Sequence, residues 1–300
     1  MTRREFLKLS AAGAMGILAS SSFVRVFGAE EKLETFKGAD VFDRILSKAL
    51  KENWQSLSIG ELMGHVAREL EGTPYVGFTL ELSKDTEVCS VNLAGLDCVT
   101  FFEDTLDFSR MLKKGGHTPE AMLEQVTFTR YRGGVLGDFT SRLHYTTDWL
   151  VDNETKKVVR ILAPDLPGAA DFTQKVGIMS HHPENYRQLK AHPELVPTIA
   201  KIEEQINARS LKFIPTDKLE GAESQLQTGD IVGVCTSADG IDIAHTGLVY
   251  VDEQGVRHFM DASSARSKMK VTLEPGPISE ALSWRKNLTG AMFARPLEPV

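Results

Sequence analysis

Apolar positions three and four apart mark the early part of the chain. Val41, Ile45, Leu46 and Leu50 predict a helix from Ala39 to about Trp54. Ser58-x-x-Glu61 has the form of a capping box, and Leu62, Val66 and Leu70 behind it form the buried stripe of a second helix. Glu71 to Tyr75 reads as a turn, followed by an extended segment from Val76 to Leu82. The stretch from Val91 to Leu112 begins as a short apolar approach and breaks at Gly95. An amphipathic helix then opens at Asp97-Cys98, with Val99, Phe102 and Leu106 on one face. Asp is a favoured N-cap. Lys113-Lys114-Gly115-Gly116 closes this helix, and Thr118-Pro119 opens another running to about Thr129.

The pattern then changes. Arg130 to Asn153 has no clean period and mixes aromatics with charges, as binding loops do. Lys157 to Leu162 and Phe172 to Met179 read as strands. Pro183 to Arg209 reads as polar helix broken at Pro193 and Pro197, and residues 151–223 are expected to be an insertion. The last third has β-rich runs at Asp230–Cys235, Ala244–Val251, Val256–Ala262, Lys268–Leu273 and Ala291–Pro296, with a hairpin turn at Asp252–Gly255. Helices first and a sheet of antiparallel strands after is the α+β pattern.

Composition narrows the setting. At 300 residues and 42% apolar, the chain can bury a full core, so residues 30–300 are expected to form a single domain. Residues 1–29 read as a leader: Arg3-Arg4-Glu5-Phe6, then a modest apolar run rich in Ser and Gly, ending near Ala29. This is the form of a twin-arginine export signal, removed near Ala29, and implies the export machinery as a partner and a periplasmic or otherwise exported location. The run is short of the ~20 residues a bilayer span needs, so no stable membrane anchor is expected. Formal charge is −7 for the whole chain, and about −10 once the basic leader is removed. No basic tract is present, which argues against nucleic acid as a partner.

The three cysteines are Cys89, Cys98 and Cys235. In an oxidising compartment an odd count leaves at least one thiol unpaired within the chain, and a Cys89–Cys235 bridge is an open pairing. The absence of C-x-x-C and of zinc-type spacing argues against structural metal, against a thiol oxidoreductase, and for a protein without cofactor. His181-His182, adjacent on an irregular segment, reads as surface.

A cysteine at a helix N-terminus meets unsatisfied N–H groups and the positive dipole end, which favour thiolate. That stretch alone leaves a core thiol and a nucleophile equally open. A nucleophile needs a base and a group to aim the base. His245 begins an apolar strand, and Asp261, across the hairpin, is expected beside it on the next strand.

Gly72-Thr73-Pro74-Tyr75, Leu96-Asp97-Cys98, Thr228-Gly229-Asp230 and Ala244-His245-Thr246-Gly247 together resemble the cell-wall cysteine peptidases of the NlpC superfamily. Adding Ser141–Trp149 and Asp261–Ser264, the chain resembles a narrower N-acetylmuramoyl-L-alanine amidase-like branch, from Gly72 to Ala294, with residues between Val151 and Glu223 contributing little. The resemblance implies a permuted papain-like α+β fold in which the nucleophile helix packs on a C-terminal antiparallel sheet. It also implies hydrolysis of an amide in peptidoglycan or its muropeptide fragments. Cys98 would be nucleophile, His245 base and Asp261 its orienter. Tyr75 would donate to the developing oxyanion, and Asp97 would stand at the mouth of the cleft. Arg132, Arg142, His144, Tyr145, Asp148, Trp149 and Ser263 would bind substrate. The bond expected to be cut joins N-acetylmuramic acid to L-alanine. Cleavage after γ-D-glutamate in the stem peptide, and murein binding without catalysis, are the alternatives.

Overall fold

The structure is a computed structural model that describes residues 33–283 and 286–300; the leader lies outside the described residues. Glu34–Val300 forms one compact unit. Helices come first: α1 (Ala39–Lys51), α2 (Ile59–Glu69), α3 (Cys98–Lys113), α4 (Pro119–Arg130) and α5 (Thr146–Thr155). The capping box at Ser58 forms in full, and Thr118 caps α4 through the Ala121 N–H. Two short strands, β1 (Phe36–Lys37) and β2 (Val91–Asn92), pair in parallel ahead of α3. Val76 to Leu82 joins no strand; just ahead of it Pro74 bridges to Lys270 and Tyr75 to Leu96.

The main sheet has eight strands: β3 (Val159–Ile161), β4 (Ala170–Phe172), β5 (Leu211–Pro215), β6 (Ile231–Thr236), β7 (Ile243–Val251), β8 (Arg257–Ser263), β9 (Lys270–Leu273) and β10 (Leu288–Pro296). Their order is β4-β5-β10-β6-β7-β8-β9, with β3 also on β10, and every pairing is antiparallel. The chain is therefore α+β. Residues 151–223 are more closely tied to the fold than an insertion would be, because β3 and β5 both hydrogen-bond to β10. The rest of that segment forms short helices, α6 (Ile178–His181), α7 (Arg187–Ala191), α8 (Val196–Asn207) and α9 (Leu219–Glu223), with Pro197 inside the first turn of α8 rather than breaking it. A last short helix is α10 (Ile278–Ala281).

Period-two alternation splits the sheet residues between two cores. Ile231, Leu248, Met260, Ala262 and Met292 pack with α2 and α3. Val232, Val234, Val249, Phe259 and Phe293 pack on the opposite face with Ile278 and Leu282.

Helix α3 departs from the amphipathic pattern: every residue from Thr100 to Leu112 is buried. Its charged side is enclosed by α4 and α5 rather than by solvent. Glu103 accepts from Arg130 Nε and Trp149 Nε1, each at 2.8 Å. Asp107 accepts from Thr129 Oγ1 at 2.6 Å, and Arg130 donates onward to the Ser90 carbonyl at 2.6 Å. Pairing of this kind is what makes buried charge tolerable. It fixes the helix from behind while leaving its N-terminus open.

Candidate active site

Three elements meet at the N-terminus of α3. Asp97 caps the helix, its Oδ1 accepting from Val99 N at 3.0 Å and Thr100 N at 2.8 Å, while Thr100 Oγ1 accepts from the Asp97 N–H at 2.9 Å. These bonds engage Asp97 Oδ1, so the side chain positions the helix start. The cap leaves the Cys98 N–H, at the first helical position, outside its own bonds. From β7, Thr246 Oγ1 donates to the Cys98 carbonyl at 2.7 Å, tying the helix start to the sheet.

The next residue back along β7 is His245, whose ring is hydrogen-bonded to the Cys98 side chain. Its Nε2 lies 2.6 Å from Asp261 Oδ2 on β8. Alternation accounts for that pairing: His245 shares the face of Val249, and Asp261 shares the face of Phe259. Phe259 packs edge-on to the His245 ring at 6.0 Å. Gly247 allows that contact, because a Cβ there would come within 2.6 Å of the Phe259 ring. Burial alone would pull the His245 pKa down; the neighbouring Cys98 and the Asp261 carboxylate outweigh it and push the value up to about 10. Tyr75 stands in the same field: burial, Cys98 and Asp97 all raise its pKa, so its phenol keeps its proton.

Cys98 and His245 open into a cleft of about 320 Å³ walled by His144, Tyr145, Ile178, Met179, Tyr186, Ile241 and Ile243. His144 Nε2 lies 2.7 Å from the Phe139 carbonyl, and burial with the nearby Arg142 charge pushes its pKa down to about 3. The imidazole is therefore neutral: Nε2 carries the proton to Phe139, and Nδ1 is an acceptor. Tyr145 reaches the cleft with its ring, while its hydroxyl donates to Glu203 at 2.6 Å.

The other residues expected to bind substrate are held by internal partners, and none lines this cleft. Arg142 makes a two-point pair with Glu87, both contacts 2.7 Å. Arg132 pairs with Asp148 at 3.2 and 2.6 Å, and Arg209 joins them at 2.8 Å. Trp149 is buried, with its N–H on Glu103. Ser263 lines a second cavity, beside Asp261. Sequence patterns gave no warning of Ile178, Met179 and Tyr186, which come from the segment expected to be an insertion, nor of Ile241. Asp242 also went unnoticed; it holds Thr147 N and Oγ1 at 2.8 and 2.7 Å and so fixes α5 at the cleft.

Cys89, Cys98 and Cys235 are all free, so Cys89 and Cys235 form no bridge. Among the described residues no group of three or more His, Cys, Asp or Glu is placed to hold a metal, and no helix is long and apolar enough to cross a membrane.

The AmiA-like family model, described as N-acetylmuramoyl-L-alanine amidase-like, matches residues 65–282. The chain belongs to that family. An N-acetylmuramoyl-L-alanine amidase from Bacteroides uniformis is similar in structure, with a TM-score of 0.72 and 27% identity over 80% of this chain and 99% of that one. A Bacteroides fragilis protein provisionally named a xylanase has a TM-score of 0.69 and 30% identity over 76% of this chain and 98% of its own. A Legionella pneumophila protein at 19% identity shares the fold, with a TM-score of 0.64, over 87% of this chain and 98% of its own. No curated protein sequence matches the chain.

Proposed function

We propose that this member of the amidase-like family is a cysteine hydrolase that cleaves the amide between N-acetylmuramic acid and L-alanine. The observation that carries the proposal is the line Cys98–His245–Asp261 at a helix N-terminus. A thiol paired with an imidazole is acyl-transfer machinery. A glycosidase would instead need two carboxylates flanking a sugar bond.

In this reading the Cys98 thiolate attacks the lactyl carbonyl carbon. The oxyanion that forms accepts from the Cys98 N–H and the Tyr75 hydroxyl. The C–N bond breaks as His245 gives its Nδ1 proton to the departing alanine nitrogen, leaving a thioester. Neutral His245 then takes a proton from water, whose oxygen attacks the thioester; the C–S bond breaks, releasing the Cys98 thiolate and the lactyl carboxylic acid, which gives its proton to solvent. Asp261 on Nε2 holds the tautomer that faces sulfur. His144 and Tyr145 line the path to the acyl group. This line-up of nucleophile helix and base strand also supports membership of the NlpC superfamily with a permuted papain-like fold. The Arg3-Arg4 leader supports folded export to the periplasm, where peptidoglycan or its fragments would be met.

Digestion of defined muropeptides with mass identification of the products tests the reading. A new N-terminal L-alanine and free N-acetylmuramic acid are expected, and Cys98→Ala should abolish both while keeping the native melting profile. An intact muramyl-L-alanyl-D-glutamate fragment would assign the cut to the stem peptide. Turnover by Cys98→Ala would remove the nucleophile, and binding without hydrolysis by the unaltered protein would make it a murein-binding protein.

A further inference from the structure

Among the described residues, four that are not glycine have a positive φ: Asn53, Phe78, Lys157 and Met269. Asn53 and Lys157 each follow the capping residue at the end of a helix, where a left-handed residue is ordinary. Phe78 and Met269 follow no helix. For a bulky apolar side chain that backbone is an outlier, and strain of this kind gathers at functional sites. Both side chains face solvent, Phe78 86% and Met269 44% exposed. Both also adjoin Tyr75, the residue proposed to face the oxyanion. Tyr75 N donates to the Met269 carbonyl at 2.9 Å. Gly77, next to Phe78, lies against the Tyr75 phenol, so that a Cβ on it would stand 4.0 Å from the hydroxyl. Phe78 borders a cavity of about 260 Å³ together with Val76, Thr79, Ser90 and Asn92. The Thr79 and Ser90 hydroxyls are buried without a hydrogen-bond partner among the described residues, and Ser90 is 4% exposed. A buried hydroxyl left unpaired is costly, and a ligand bringing hydroxyl or amide groups offsets that cost.

We propose that Phe78 is a stacking platform for the saccharide of the substrate, with Thr79 and Ser90 hydrogen-bonding its polar substituents. The inference rests on the proposed amide hydrolysis. In that reaction the oxyanion forms on the carbonyl that Tyr75 faces, and only the lactyl carbon and its ether oxygen separate this carbonyl from the sugar ring. The sugar therefore begins close to Tyr75, which Gly77 and Phe78 flank. A pyranose offers an apolar C–H face to an aromatic ring, and its hydroxyls and acetamide suit hydroxyl partners. A stem peptide carries carboxylates instead, and the charges bordering this cavity, Lys37 and Glu34, already pair with each other at 3.6 Å.

The test uses the full-length protein and two compounds that differ only in the sugar, N-acetylmuramyl-L-alanyl-D-isoglutamine and D-lactyl-L-alanyl-D-isoglutamine. Phe78→Gly should lower kcat/KM for the muramyl compound relative to the lactyl one about tenfold, the yield of covering one face of a phenylalanine. Phe78→Trp should keep the ratio. Glycine adopts this backbone freely, so Phe78→Gly should melt no lower than the unaltered protein. Calorimetry of both compounds on Cys98→Ala, with and without Phe78→Gly, reads the same ratio as binding. A ratio that Phe78→Gly leaves unchanged overturns the platform. A clear fall in its melting temperature makes the ring structural and overturns the platform as well. If the preference for the muramyl compound in binding depends on Phe78, but the unaltered protein releases no L-alanine amine from either compound, the proposed reaction falls and the platform stands.

Discussion

Replacing Arg142 by Met should damage stability far more than substrate affinity. Arg142 is 8% exposed and Glu87 1%, and their two-point contact is part of a closed set: Glu87 also accepts from Tyr131 Oη at 2.9 Å and from Gln188 Nε2 at 2.8 Å. Removing the guanidinium leaves a buried carboxylate with neutral donors only. Breaking one side of a buried pair costs about 3–5 kcal/mol. At about 2–3 °C per kcal/mol for a chain of this size, the melting temperature should fall by roughly 6–15 °C. Adding Glu87→Gln to Arg142→Met removes the stranded charge, and the double variant should regain at least half of the loss. Thermal melts and urea titrations of the two single variants and the double one form the cycle. If Arg142→Met melts like the unaltered protein but raises KM for muropeptides several-fold, the assignment of Arg142 to the scaffold is wrong and its place is in substrate binding.

The raised His245 pKa makes stability depend on pH with a definite sign. His245 binds its proton more tightly folded than unfolded, so its contribution is complete below about 6.5 and is lost as pH climbs through about 10. The urea midpoint of the unaltered protein minus that of His245→Gln should shrink between pH 6.5 and 10; a difference that widens would reverse the reading. The thiols offer a separate check. Burial raises the pKa of both Cys89 and Cys235, whereas Cys98 is partly exposed at a helix N-terminus. Iodoacetamide should add one label to the folded protein, at Cys98, and three after unfolding without reductant. A single label after unfolding would mean that the other two are joined.

Local chemistry was legible. The caps at Ser58, Asp97 and Thr118 each use a side chain and an N–H within three residues, so sequence spacing contains the whole interaction. The last-third strands announced themselves through period two, and His245 with Asp261 followed from which strands neighbour each other. What stayed hidden was long-range neutralisation. Arg142 and Asp148 look like ligand-binding groups in a loop, since nothing nearby reveals that Glu87 and Arg209 consume their charges. The same blindness concealed α5: Thr147, Asp148 and Asn153 are polar yet buried, so no apolar stripe marks the helix. The wall of Ile178, Met179 and Tyr186 had no period to betray it.

Strand β10 sets the order in which the protein can be finished. It follows every strand it binds, yet it alone joins β3 and β5 to β6. During synthesis β6 to β9 can zip together as successive hairpins, but β3 and β5 wait, edges open, until residues 288–296 emerge. A nascent chain therefore has its thiol and imidazole in place before β10 closes the sheet behind them. For a protein proposed to travel folded, a closed sheet is then the mark of a finished fold, because among the described strands the one that closes it is the last to emerge.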